Sequence, residues 1–313
     1  MKPCSDNLMR LVTYTRMGVP SIGIELEDGV LDIPDAASRF GRMHHVHGKM
    51  FPSTMIDLLQ WPAGVEVVRQ ILDRYNEATS QERPLLYKLS NVSFLAPIAQ
   101  PGKIVAIGLN YMDHVEETGR ETPKAPVVFA KFPSSIIGPG DDIIIPSVSK
   151  KIDWEVELGI VIGKQCKNIP EESVLDHIAG YTIINDLTAR DLQREDGGQW
   201  VRGKSIDTFC PMGPCIVTSD ELGDASGLKM HTKVNDVIKQ ESTTSNLIFN
   251  VIQLVSYLSK SFSLEPGDVI ASGTPAGVGF TRNPPEYLKA GDEVELYIEG
   301  IDYLRNKVAA ATE

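Results

Sequence analysis

Apolar and polar positions alternate in short runs along most of this chain, and helical periodicity is scarce. Leu8–Arg16, Ile22–Leu26 and Val30–Ile33 predict three short strands, with Glu27-Asp28-Gly29 turning between the last two. Thr54–Trp61 and Val65–Tyr75 predict helices, because Leu58, Leu59, Val68, Ile71 and Leu72 fit an apolar helix face. Ser80–Leu95 reads as a polar connection into a Pro/Gly-punctuated stretch, Ala96–Lys103. A boundary is therefore expected near residue 98, with a small α+β domain over 1–97 and a larger domain over 98–313. In the larger part, Ile104–Ile107 and Asp268–Ala271 predict core strands. Leu228–Val234 and Val237–Gln240 flank an Asn235-Asp236 hairpin turn, and Gly291–Ile298 with Ile301–Lys307 predict a closing hairpin. Asn246–Phe262 is the one long amphipathic helix. A strand-rich α+β pattern of this kind excludes a doubly wound α/β fold.

One strand carries chemistry. Asp153–Gly163 alternates and is rich in β-branched residues. Residues i and i+2 on a strand lie roughly 6.5–7 Å apart on one face. Glu155 and Glu157 therefore share a face, opposite Val156, Leu158 and Ile160. Side-by-side carboxylates repel, and Glu155→Gln is expected to relieve that repulsion. The pair marks either a solvated strand face or, since the run continues as a core strand, a site for a hard cation. A second β-branched run, Tyr181–Asn185, ends on Asp186 just before an expected helix over Thr188–Gln193. Asp186 can cap that helix or complete the cation site. His114 and Glu117 are three apart, so on a short helix they form either a chance surface pair or an oriented base.

Composition narrows the partners. The chain has 313 residues, 42% of them hydrophobic, and a net charge of −12. No basic block favours nucleic acid or anionic membranes, and no apolar run reaches spanning length. A small anionic substrate needs local positive charge against this background. The four cysteines form no C-x-x-C pair and the first residues carry no apolar signal core, so a cytoplasmic location is expected. His44, His45 and His47 have no carboxylate cluster nearby and read as an ordinary loop. The Gly-rich loop Ser272–Gly279 lacks the Gly-Lys-Ser/Thr ending of a P-loop, although its N–H groups could cradle a substrate carboxylate.

Five motifs occur in order. They are Gly108-Leu109-Asn110-Tyr111-x-Asp113-His114, Asp153-Trp154-Glu155-x-Glu157-Leu158 and Asn185-Asp186-x-Thr188-Ala189-Arg190-Asp191. Gly203-Lys204-Ser205-x-Asp207-x-Phe209-x-Pro211 and Ser272-Gly273-Thr274-Pro275-x-Gly277-Val278-Gly279 follow. Together they closely resemble the fumarylacetoacetate hydrolase family, over about Gly102 to Val308. The family often has Lys-Pro where Phe132 here separates Lys131 from Pro133.

The resemblance implies a mixed β-roll with a smaller, variable N-terminal domain, and a homodimer through the C-terminal domain. It implies one Mg²⁺ or Mn²⁺ per subunit on Glu155, Glu157 and Asp186. His114, Glu117 and Lys204 would be catalytic, and Arg190, Gln193, Gly273 and Thr274 would contact a small anionic substrate. Hydrolysis of a C–C bond in an acylpyruvate or fumarylpyruvate leads the implied activities. Oxaloacetate decarboxylation, keto–enol tautomerisation and hydroxymuconate-type isomerisation use the same parts. A module with a lapsed site would lack part of the motif set, and a nucleotide-binding oxidoreductase would show a strand-linked G-x-G-x-x-G.

Overall fold

The structure, a computed structural model, describes residues 8–40, 51–61, 63–195 and 197–311. His44, His45 and His47 lie outside the described residues.

The alternation read from sequence becomes a twelve-stranded mixed sheet. Its main path runs Leu86–Tyr87, Gly29–Asp32, Val19–Leu26, Arg10–Arg16, Cys210–Thr218, Ile178–Asn185, Val156–Ile162, Val269–Ala271, Ile104–Gly108 and Val127–Lys131. Most neighbours are antiparallel, but Val269–Ala271 lies parallel to Ile104–Gly108. A five-stranded sheet packs beside it, built on the hairpins 229–243 and 293–310. In the first, Asn235 and Asp236 both take positive φ, 51° and 63°, as a tight two-residue turn requires.

Both faces of the central strands are covered, so Val156–Ile162 and Ile178–Asn185 are buried at every position. Val156, Leu158 and Ile160 point into one apolar core and Val161 into the other. Each such aliphatic side chain contributes about 1.5–3 kcal/mol when fully buried. The second core joins Met9, Leu11 and Ile24 to Ile104, Val161 and Met212. The strands before residue 98 thus extend the same sheet, with Arg10 and Leu11 paired to Val217 and Ile216.

Several elements differ from the sequence reading. Asp32 caps a helix over Ile33–Arg39, with Pro34 in its first turn, where only the end of a strand was expected. Ser80–Leu95 contains two short strands, at Leu86–Tyr87 and Ser93–Leu95, rather than connection alone. Thr188 and Ala189 pair with Asp153 and Ile152 as a strand, so the expected helix shrinks to Arg190–Arg194. The long helix begins at Val251, because Asn250 and Gln253 form a capping box there. Among the described residues, no helix is long and apolar enough to cross a membrane.

Candidate active site

Strand register assembles the acidic cluster. Val156 pairs with Asn185 and Glu157 with Ile184, which sets Asp186 across from Glu155 just beyond the ladder. The Asp186 N–H donates to the Glu155 carbonyl at 2.9 Å and closes the pair. One carboxylate oxygen from each of Glu155, Glu157 and Asp186 lies within 4.8 Å of the others, and all three residues are buried. Asp186 does not cap the following helix, whose N-cap is Ala189.

Three buried cations face this cluster. Lys204 Nζ donates to Glu155 Oε2 at 2.6 Å and also to Asp186. Arg190 Nη2 donates to Glu155 Oε1 at 2.5 Å, while its Nε donates to Asp153 Oδ2 at 2.8 Å. Lys131 Nζ stands 2.8 Å from Asp186 Oδ1, an ion pair that lacks hydrogen-bond geometry. Burial drives the Glu155 carboxyl up, but Lys204 and Arg190 outweigh it and hold the group at about 2. Burial lowers Lys204, and Asp186 and Glu155 more than restore it.

Glu157 is the exception. Its Oε2 accepts from the Gly273 N–H at 2.8 Å, and no cation forms an ion pair with it among the described residues. Burial, then the Asp186 and Glu155 charges, push its carboxyl well above the usual range. Relief of repulsion therefore belongs to Glu157, and the expectation that Glu155→Gln would provide it is corrected: Glu155 is the compensated member.

This arrangement fits a hard divalent cation. The donors are all carboxylate oxygens, one is without a cation partner, and Asp186 Oδ1 accepts no hydrogen bond. With Asp153 included, four carboxylates face three cations, a net −1 that a divalent ion would turn to +1. A buried carboxylate without a countercharge is costly, so the ion would stabilise the fold as well as the site.

The opposite wall is the helix Met112–Thr118. His114 Nδ1 lies 3.3 Å from Glu117 Oε2. Glu117 Oε1 accepts from the Gly277 N–H at 2.9 Å and from Thr281 Oγ1 at 2.8 Å. Partial burial would raise the Glu117 carboxyl, yet hydrogen bonds from His114, Thr281 and Gly277 outweigh it and hold it low. An ionised Glu117 accepts a hydrogen bond from Nδ1–H, the tautomer that leaves Nε2 as the basic nitrogen.

One pocket brings most of the sequence-picked residues together: His114, Glu155, Glu157, Arg190, Gln193, Lys204 and Thr274 all line it. Asp186 sits beneath, fully buried, and Glu117 stands behind His114. Gly273 is used on Glu157 and does not line the pocket. The Gly-rich loop spends its N–H groups on the chain's own carboxylates. Gly277 serves Glu117, and Gly279 and Phe280 serve Asp153, at 2.6 and 3.1 Å for the latter pair. The cradle expected for a substrate carboxylate is thus already filled by Asp153 and Glu117. Arg190 is likewise committed, with Nη1 on Gln193 Oε1 at 3.1 Å.

Sequence reasoning missed Asp153, although it precedes Glu155 by two and so continues the same alternation. It also missed Arg120, Arg194 and Phe280 in the pocket lining. These come from separate loops and a helix end, with no periodic signal to connect them.

Comparison with known proteins places the chain in a family. Residues 103–309 match the family model described as fumarylacetoacetate (FAA) hydrolase C-terminal. The chain is 40% identical to a Rattus norvegicus protein named oxaloacetate tautomerase Fahd2a, mitochondrial, over 98% of this chain and 93% of that one. Fumarylacetoacetate hydrolase from Exiguobacterium antarcticum superposes with a TM-score of 0.79 at 34% identity, covering 97% of this chain and all of that one. 5-Carboxymethyl-2-hydroxymuconate delta-isomerase from Mycobacterium smegmatis gives 0.72, also at 34% identity and the same coverage. With the family's model matched over two-thirds of its length and enzymes of the family alike along nearly all of it, this chain belongs to the fumarylacetoacetate hydrolase family.

Proposed function

We propose that the protein is a keto–enol tautomerase of small 2-oxo dicarboxylic acids, with oxaloacetate as the substrate to test. The observation that carries this reading is the pocket itself, with an oriented histidine facing a buried all-carboxylate cluster. The near-full-length likeness to relatives named oxaloacetate tautomerases supports this choice among the activities such a pocket serves.

His114 would take a proton from C3 of the keto acid through Nε2. The electron pair of that C–H bond then forms the C2–C3 double bond, and the carbonyl oxygen gains a proton from the His114 imidazolium, directly or through water, which completes the enol and restores the base. Glu117 holds the imidazole in one tautomer and stabilises its charged form while the proton is in transit. Lys204 and Arg190 fix Glu155 so that it does not shift as charge develops. Gln193 and Thr274 line the pocket as neutral polar groups suited to the substrate's oxygens. A divalent cation on Glu155, Glu157 and Asp186, Mg²⁺ or Mn²⁺, would supply electrostatic stabilisation of the enolate oxygen.

Hydrolysis of acylpyruvates is a second reading, favoured by the likeness to a solved fumarylacetoacetate hydrolase. It needs the same base but also an attacking water. The deciding experiment follows the decay of enol-oxaloacetate absorbance with Mg²⁺ or Mn²⁺, beside hydrolysis of acetylpyruvate and fumarylpyruvate. Tautomerisation well above the buffer rate, and above either hydrolysis, is expected. No acceleration of tautomerisation would overturn the proposal.

The proposed assembly is a homodimer through the larger, C-terminal part, where Val237 and Ile238 are exposed. Light scattering giving the mass of one chain, 34.3 kDa, would exclude it. A reducing compartment, cytoplasm or mitochondrion, suits buried thiols such as those of Cys166 and Cys210.

A further inference from the structure

An acidic protein that takes a doubly charged substrate needs cations its own carboxylates have not claimed. Four strong cations line the pocket: Arg120, Arg190, Arg194 and Lys204. Lys204 is claimed by Glu155 and Asp186, and Arg190 by Asp153, Glu155 and Gln193. Arg194 and Arg120 form no ion pair with any carboxylate among the described residues. Both face the pocket while remaining open to solvent.

Arg194 is also held in place. Its guanidinium carbon stands 3.8 Å from the centre of the Phe280 ring, and that of Arg190 stands 4.3 Å from the same ring. Stacking uses the flat face of a guanidinium and leaves its in-plane N–H fork free, the geometry that meets a carboxylate with two parallel hydrogen bonds. Burial, then the nearby Arg190 and Arg120 charges, disfavour the Arg194 cation. An anion between the arginines would relieve that repulsion.

We propose that Arg194 and Arg120 form the subsite for the substrate's distal carboxylate, and so restrict the pocket to 2-oxo acids bearing a second carboxylate. The inference rests on the tautomerase reading for the reaction and its diacid substrate, and adds the residues that read the second carboxylate. The head of the substrate, its 2-oxo carboxylate, lies at the end of the pocket where Glu155, Glu157 and Asp186 would hold the divalent cation. Its tail reaches outward to Arg194, with Phe280 as the surface that aligns the guanidinium. Arg194 and Arg120 are specificity residues in this scheme, and neither is a base.

The test uses inert probes. L-Malate and L-lactate share a 2-hydroxy acid head, and only malate has the second carboxylate. Binding of each is measured by calorimetry with Mg²⁺ to the wild type, Arg194→Gln, Arg120→Gln and the double variant. The wild type is expected to prefer malate at least tenfold, a difference that falls below about threefold in the double variant. Arg194→Lys should keep part of the preference, since it retains the charge and loses the fork. Equal binding of the two acids by the wild type would overturn the subsite, as would a preference that survives the double variant or an equal loss for both acids. The tautomerase reading fails separately, if wild-type protein that prefers malate leaves oxaloacetate tautomerisation at the buffer rate.

Discussion

Glu155, Glu157 and Asp186 stand at the ends of strands in the middle of a twelve-stranded sheet, whereas His114 stands on a seven-residue helix pinned to a glycine-rich loop. The first region is the floor of the pocket and the second its wall. The floor is buried, and two of its carboxylates are matched to cations at 2.5–2.8 Å. The wall is fastened by lighter contacts: Glu117 to Gly277 and Thr281, and Asp113 to Ser242 and Asn246. Losing one partner of a buried ion pair costs about 3–5 kcal/mol, against about 1.5–3 kcal/mol for one hydrogen bond to a charged group. The floor therefore behaves as fixed framework, and the wall is the side that can be altered without unfolding the protein.

The strongest test of this contrast lies in the floor. Glu157→Gln and Asp186→Asn should each weaken Mg²⁺ or Mn²⁺ binding at least about 100-fold and abolish measurable turnover. Titration calorimetry with the metal, beside the enol assay, checks both. The two variants should diverge in stability. Asp186→Asn leaves Lys131 and Lys204 short of a partner and should cost about 3–5 kcal/mol in urea unfolding. Glu157→Gln removes a repelled charge and should leave the metal-free protein as stable or more so. Equal destabilisation by both would show that Glu157 has a cation partner after all.

A smaller effect is expected from the wall. His114→Ala should lower kcat for tautomerisation by roughly 10²–10⁴, while metal affinity and urea stability stay near wild type. Loss of metal binding in this variant would join the two regions and end the comparison. Glu117→Ala should cost about tenfold, because it removes the orientation of the imidazole and keeps the base. The double variant should be no worse than His114→Ala alone, since the pair acts as one unit.

The least effect concerns pH. The Glu117 carboxyl is held below its usual range, so the stability it lends is present above that range and is lost as pH falls through its folded value. Glu117→Gln should be the less stable protein at neutral pH, and the difference in melting temperature should shrink as acid protonates the wild-type group. A difference that grows in acid would reverse the sign argued here.

Local pattern determined much of this protein. Alternation over Asp153–Gly163 located the core strand, which the structure confines to Val156–Ile162, and put Glu155 and Glu157 on one face, because a pleated backbone sends every second side chain the same way. The i,i+3 spacing on a short helix joined His114 to Glu117 for a similar reason. The Asn235-Asp236 turn and the closing hairpin followed from turn chemistry. Tertiary structure decided what spacing cannot encode. Thr188 and Ala189 became a strand because Ile152 and Asp153 were there to pair with them, overriding a helical pattern. The Gly-rich loop turned its N–H groups toward Asp153 and Glu117, partners more than 120 residues away in sequence. Which cation serves which carboxylate was settled in the same way. Lys131 comes from a strand and Arg190 and Lys204 from two short helices, and the packing of these three elements brings them within ion-pair distance of one buried cluster. A charge's partner is a matter of distance through space, and only the folded chain sets that distance.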